Sequence, residues 1–321
     1  MELVNKKTNE LTPKDISSYC DCFSRVFHKE KDPAVFQSEF TNTCLGYSFH
    51  SLLLDEEGTV MGGYTSIPML YEVEGKEQLF AFGVDLMIAE SLRDDVSNLL
   101  SIIKTNDRVL KEAGVKCFYG FPNDNSYKVN LAFIRMKDIC SLNTYLLLWR
   151  VGAVKASMKV LNPFSSLFAK IVVAISKLSS NKTLIEHSIR KKRPEFDDKR
   201  YQWFNSTEYR HFKDKDMSCH WKVSKFEETN AAFLMDVYPM SKYNFDKAVR
   251  IAYKDCKNEV GLLLYVGYLP FSPCSMIKVP LKFAPKNFHF VAKLLDKNSL
   301  SKDMVYNGYN WDVNLASYDL L

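Results

Sequence analysis

At 321 residues, with 46% hydrophobic, 25% charged and 13% aromatic residues, the chain has the composition of a folded globular protein, which excludes a disordered or low-complexity polymer. Its length suits two domains of ordinary size. The formal net charge of +5 is unevenly spread: between Arg150 and Arg200 twelve Lys/Arg face four acids, a local +8 that leaves the remainder at −3, so only the middle of the chain is basic.

The first nine residues read as a short strand or tail. Thr12-Pro13 then gives a helix start, with Thr12 as cap and apolar residues at Ile16, Tyr19, Cys20, Phe23 and Phe27. Asp32-Pro33 repeats the signal for a second, shorter helix. Tyr47 to Leu54 and Val60 to Tyr71 are β-rich runs separated by DEEG, a hairpin signal. The chain turns again at EGKEQ into LFAFGVDLMI, a central buried strand. The amphipathic helix VSNLLSIIKTNDRVLKEAG follows, then a second buried strand, VKCFYGF, and a PNDNSY turn that opens another helix. Two strands joined by a crossover helix belong in one sheet, and ligands of such sheets sit beyond the strands' carboxyl ends. That places a crevice between Glu90–Val96 and Pro122–Tyr127. From Ile139 the run SLNTYLLLWRV extends the sheet.

Residues 163–178, PFSSLFAKIVVAISKL, form the most hydrophobic stretch. It is short of the about 20 residues that cross a bilayer. It reads as a linker helix packed between two domains, or as a peripheral membrane contact through 163–193 backed by the RKKR run at 190–193. From Tyr201 the order of strand, helix and strand recurs less clearly, through SCHWKVSKF, FDKAVRIAYKDCKN and VGLLLYVGYL. The chain therefore divides into 1–150, a basic linker over 151–200, and a degenerate second copy over 201–321.

Eight cysteines at irregular spacing, several inside apolar segments, read as reduced core residues. The N-terminus shows no apolar signal core, so a cytoplasmic location is expected, with membrane association through 163–193 as the alternative. The six histidines lack metal-ligand spacing and no metal is expected. The basic middle has no stripe of alternating basic and aromatic residues, so nucleic acid is not an expected partner. No G-x-S-x-G, P-loop or dinucleotide fingerprint is present.

The order of elements, and the segment GVDLMIAESLRDDVSNLLSIIKTNDRVLKEAGVKCFYGFPNDNSYKVNLAFIRM, resemble the GNAT acyltransferase superfamily, in particular tandem-domain members from bacterial surface-polysaccharide gene clusters. The closing Asn310-Trp311-Asp312-Val313-Asn314 with Asp319 is similar to the ending of those proteins. The resemblance implies a mixed α/β fold of tandem GNAT-like domains and a donor of acetyl-CoA or another acyl-CoA. It implies a small-molecule acceptor, an amino sugar or related surface-polysaccharide precursor, nucleotide-linked or lipid-linked, acylated on nitrogen or oxygen by direct attack in a ternary complex. In the family a glycine-rich turn after the central strand cradles the CoA pyrophosphate. Here Arg93 keeps its first position, but Val96 and Asn98 replace both glycines. Asp94 and Asp95 add negative charge there.

By this resemblance the backbone of Leu86, Met87 and Ile88 holds the pantetheine. Arg93, Asp94, Asp95, Val96 and Ser97 form the pyrophosphate loop, and Asn123 and Ser126 are cofactor contacts. Asn123 and Ser126 also suit helix capping. Glu90 or Asp85 would be the general base, although Asp85 paired within the sheet and Glu90 at the helix start are the structural alternatives. Tyr127 would protonate the departing thiolate; the family's usual tyrosine falls nearer Phe133. Two other functions stay open: a non-catalytic protein that keeps the fold without CoA, and a peptidoglycan-type transferase using aminoacyl-tRNA.

Overall fold

A computed structural model of the chain describes residues 1–204, 207–226, 229–284, 286–296 and 298–318. Asp319 lies outside them. In chain order the elements are β1 (Glu2–Lys7), α1 (Pro13–Phe27), α2 (Pro33–Thr41), β2 (Phe49–Leu54), β3 (Val60–Val73), β4 (Lys76–Ile88), α3 (Val96–Glu112), β5 (Cys117–Gly120), α4 (Asp124–Ala132), β6 (Lys137–Ser141), β7 (Asn143–Leu148), α5 (Asn162–Ile175), β8 (Ile189–Lys191), α6 (Glu195–Arg200), β9 (Tyr209–Lys213), β10 (Ser218–Phe226), β11 (Thr229–Tyr238), α7 (Lys242–Cys256), β12 (Leu262–Gly267), β13 (Ile277–Lys278), β14 (His289–Leu294) and α8 (Lys302–Val305). Two helix starts follow the sequence signals. The Thr12 side chain accepts from the Asp15 N–H, and the Asp32 side chain accepts from the Ala34 N–H, each with proline at the first helical position.

The residues form two compact units, and neither is one continuous stretch. The first comprises Met1–Cys140, Ser188–Ser206 and His289–Trp311; the second comprises Ser141–His187, Thr207–Phe288 and Asp312–Leu321. The run from Ile139 is therefore not one strand. β6 joins the first unit's sheet and β7 the second's, with the break at Leu142, whose N–H donates to Phe288. The sequence reading also passed over β14.

In the first unit the sheet runs β1-β2-β3-β4-β5-β14-β6, with β8 beside β3. All neighbours from β1 to β4 are antiparallel, β4 and β5 are parallel, and β14 returns antiparallel to β5. Tyr64, Phe118 and Val291 of the sheet form one core cluster with Ile102, Ile103 and Leu110 on the apolar side of α3. On another cluster Trp311 meets the rings of Tyr71, Phe80, Tyr119 and Phe290 at centroid distances of 5.8, 5.6, 5.9 and 5.0 Å. Its indole N–H donates to the Val305 carbonyl at 2.8 Å. The RKKR run is not a free tail: Arg190 pairs with Glu72, Lys192 with Glu77 and Arg193 with Asp197.

The second unit's sheet runs β13-β7-β12-β11-β10-β9. It repeats the first unit's plan: antiparallel strands lead into β11, α7 crosses over, and β12 lies parallel to β11 through only Ala232↔Leu263 and Phe233↔Leu264. α7 is capped by Ser241 and buries Phe245, Ala248, Val249 and Ala252 against this sheet.

Trp311 is 1% exposed, and truncating a fully buried tryptophan removes both transfer energy and packing. Trp311→Ala is expected to cost about 3–5 kcal/mol, read as a lowered urea midpoint with the same transition slope.

Candidate active site

The parallel contact between β4 and β5 is short. It comprises Phe80↔Cys117, Ala81↔Phe118 and Phe82↔Tyr119, whereas β4 stays paired with β3 as far as Gly62↔Ile88. Beyond Phe82 the pairing of the two strands ends, β5 itself closing at Gly120, and among the described residues no strand lies along the other edge of β4 from Gly83 to Ile88. Gly83 through Leu86 are half-buried, so this edge offers backbone N–H and C=O groups to a ligand.

A β-bulge accompanies the divergence. Thr65 faces Val84 and Gly63 faces Met87, so β4 carries one extra residue over this interval. Asp85 lies within it at φ 52°, in the left-handed region that an aspartate tolerates at a cost. Gly83, just before it, has no room for a side chain: a Cβ there would come within 2.6 Å of the Phe118 ring and the Tyr64 hydroxyl.

The Asp85 carboxylate is firmly held. It accepts from the Tyr19 hydroxyl at 2.9 Å and from Lys31 Nζ at 2.6 Å, and Lys31 also meets Glu39 at 2.9 Å. The three charged side chains are only 8–14% exposed, and Lys31 lies over the rings of Phe23 and Phe40. Burial works against the lysine charge, but Asp85 and Glu39 outweigh it and raise its pKa. Burial, and next the Asp85 charge, push the Tyr19 phenol well up. Thr65 continues the network, contacting the Tyr19 hydroxyl at 2.8 Å and His50 Nδ1 at 3.0 Å, and His50 Nε2 reaches Thr8 at 2.9 Å. Burial, then Lys31, lower His50 to about 3. Asp85 thus sits near the end of β4, where the sequence placed it, and is bound to Tyr19 and Lys31.

Glu90 opens a 3-10 turn, Glu90–Leu92, beyond the strand end and is exposed. The loop into α3 is occupied by its own chain. The Leu92 N–H donates to Ala89, that of Arg93 to Glu90, and that of Asn98 to the Asp95 carbonyl. The Ser97 N–H donates to the Asp95 carboxylate at 2.8 Å, and the Ser97 contacts hold that carboxyl below its ordinary range. Arg93 Nε donates to the Ile88 carbonyl at 3.2 Å, and Val96 is 45% exposed. These residues do not fit a pyrophosphate: several amides that an anion would use are engaged, one by a carboxylate of the protein itself. The open edge of β4 at Leu86, Met87 and Ile88 does fit an extended amide arm.

Asn123 caps α4, accepting from the Ser126 N–H at 2.9 Å, and the Ser126 hydroxyl turns back onto Asn123. The Tyr127 ring stacks on His289 of β14 at 3.9 Å, and burial, then a hydrogen bond to Asp138 of β6, raise its pKa. It also packs on the core cluster that Leu86, Ile88 and Leu92 border. Tyr19, Lys31, Glu39, Thr65 and His50 escaped the sequence reading. Lys31 in HKEKD reads as a solvated charge, and only the fold brings it to Asp85.

In the second unit the corresponding strands are bridged by a later residue of the chain, Asn314. β11 carries a matching bulge, with His220 facing Asp236 and Trp221 facing Leu234. Beyond Phe233, Asn314 forms a bridge with Gly267 of β12 and donates to Asp236 of β11 at 2.7 Å.

No family model matches the chain, and no curated protein does. Solved structures do. A conserved protein of unknown function from Enterococcus faecalis, described as a probable N-acyltransferase, superposes with a TM-score of 0.58 at 11% identity, covering 92% of this chain and 73% of that one. A GCN5-related N-acetyltransferase from Kribbella flavida gives 0.57 at 10% identity over 92% and 71%. Eis1 from Mycobacterium abscessus gives 0.53 at 11% over 91% and 74%. The chain therefore has the fold of the GCN5-related N-acetyltransferases, and its repeated plan is a tandem arrangement of that fold.

Two outcomes test the buried network. Lys31→Met leaves two buried carboxylates without their cation and is expected to cost about 3–5 kcal/mol, part of it restored by adding Asp85→Asn, in a urea double-mutant cycle. His50 is neutral in the folded protein down to about pH 3. Below about 6.5 the unfolded chain takes up a proton that the folded one refuses. Stability should fall with pH across this window, by at most about 1.4 kcal/mol per pH unit from this group. His50→Gln should show a shallower fall of urea midpoint with pH.

Proposed function

We propose that the first unit is an acyltransferase that takes the acyl group of a pantetheine thioester, supplied as acetyl-CoA or another acyl-CoA, and passes it to an amine or hydroxyl of a small molecule. The divergence of β4 from β5 at the bulge carries this reading, because it leaves a strand edge on which an amide-containing arm can align by backbone hydrogen bonds. In this reading Gly83 to Ile88 orient the arm. Glu90, exposed at the strand end, accepts the acceptor's proton directly or through water. Asp85 acts by shaping the bulge. An amino sugar or related surface-polysaccharide precursor, nucleotide-linked or lipid-linked, is the acceptor class the resemblance suggests.

The engaged amides and the Asp95 cap favour a second reading: a binding protein that keeps the fold without the cofactor. The two readings part in calorimetric titration. The transferase reading expects S-acetylpantetheine and acetyl-CoA to bind with comparable affinity, since the α3 start adds little for the diphosphate. It expects Asp94→Asn with Asp95→Ser, which keeps a capping side chain, to tighten acetyl-CoA about tenfold while leaving S-acetylpantetheine unchanged. Absence of heat and of thermal shift with both thioesters at millimolar concentration favours the binding module instead.

A further inference from the structure

The stretch Ala156–Leu178 is long and apolar enough to cross a membrane by length and composition, yet one of its faces is built into the second unit. Ala169 is fully buried, Val172 and Val173 pack on that unit's core, and the Ser176 carbonyl accepts from Arg250 at 2.6 Å. The opposite face is bare. Phe164, Leu167, Phe168, Ile171, Ile175 and Leu178 are 71, 58, 50, 49, 50 and 80% exposed. Their spacing of three and four residues draws them into one stripe. Within Ala156–Leu178 the charged residues are Lys159, Lys170 and Lys177, with no acid. Lys170 and Lys177 are two turns apart and so line one edge of the stripe.

We propose that this stripe is a docking face for an anionic lipid surface, with α5 lying in the plane of the bilayer interface. A continuous apolar face rimmed by cations with no acid suits lipid headgroups of negative charge. It suits a second copy poorly, since a two-fold contact through the same stripe sets lysines against lysines. Spanning is disfavoured because the inner face would have to leave the core it completes. This docking is independent of whether the first unit transfers acyl groups.

Vesicle flotation of the full chain tests it. The protein should float with vesicles of phosphatidylcholine and phosphatidylglycerol, about tenfold less with phosphatidylcholine alone, and should be released by high salt. Phe164→Ser with Phe168→Ser should abolish flotation without lowering the melting temperature, since both side chains are exposed. Lys170→Glu with Lys177→Glu should remove the preference for phosphatidylglycerol. Failure of the wild-type chain to float with the anionic vesicles overturns the proposal. So does a dimer in sedimentation velocity that the serine pair dissolves while flotation is unchanged.

Discussion

The buried cation of Lys31 is the constraint from which the first unit's site follows. β4 carries a residue too many for its partner strand, and that surplus is accommodated by holding Asp85 in a left-handed conformation. Such a backbone persists only where surrounding contacts over-determine it. Lys31 and Tyr19 supply them from α1 and the segment after it, and both groups are fixed in turn by Glu39 and Thr65. The bulge increases local twist, and it falls just past Phe82, where the pairing of β4 with β5 has ended. The free edge of β4 in this mixed sheet is thereby set beside a buried ion pair.

The second unit shows what the same plan becomes without a vacancy. Its bulge recurs and its parallel contact is short, two residue pairs against three in the first unit, but Asn314 bridges its strands. Backbone groups at a diverging edge need hydrogen-bond partners. In the second unit the chain supplies some of them itself, and in the first they face the crevice. Duplication has kept the architecture and assigned the two openings different fates.

Much of the first unit was legible because its signals are local. Thr12-Pro13, Asp32-Pro33, the DEEG turn and the amphipathic period of α3 each determine their own element, and the antiparallel order follows from short connections. That β4 and β5 share one sheet could be expected from strand, helix, strand alone. The partners of their neighbouring side chains could not. Asp85 gives no sign in the sequence of its contact with Lys31, nor Tyr127 of its stacking on His289. β14 escaped because its partner, β5, is remote in sequence, and β6 and β7 were merged because one residue, Leu142, separates two sheets. Contacts made over long sequence separation leave no periodic trace.

The interleaving of the chain bears on how the protein comes to be folded at all. β5 lies at an outer margin of its sheet until β14 arrives, and the Lys116–Asp296 ion pair beside that junction joins residues 180 positions apart. During synthesis the N-terminal half therefore emerges with an unsealed apolar margin, and it stays so while nearly all of the second unit is translated. Loop closure on this scale is entropically slow. A bare strand edge of this kind invites association with other chains until β14 pairs with it.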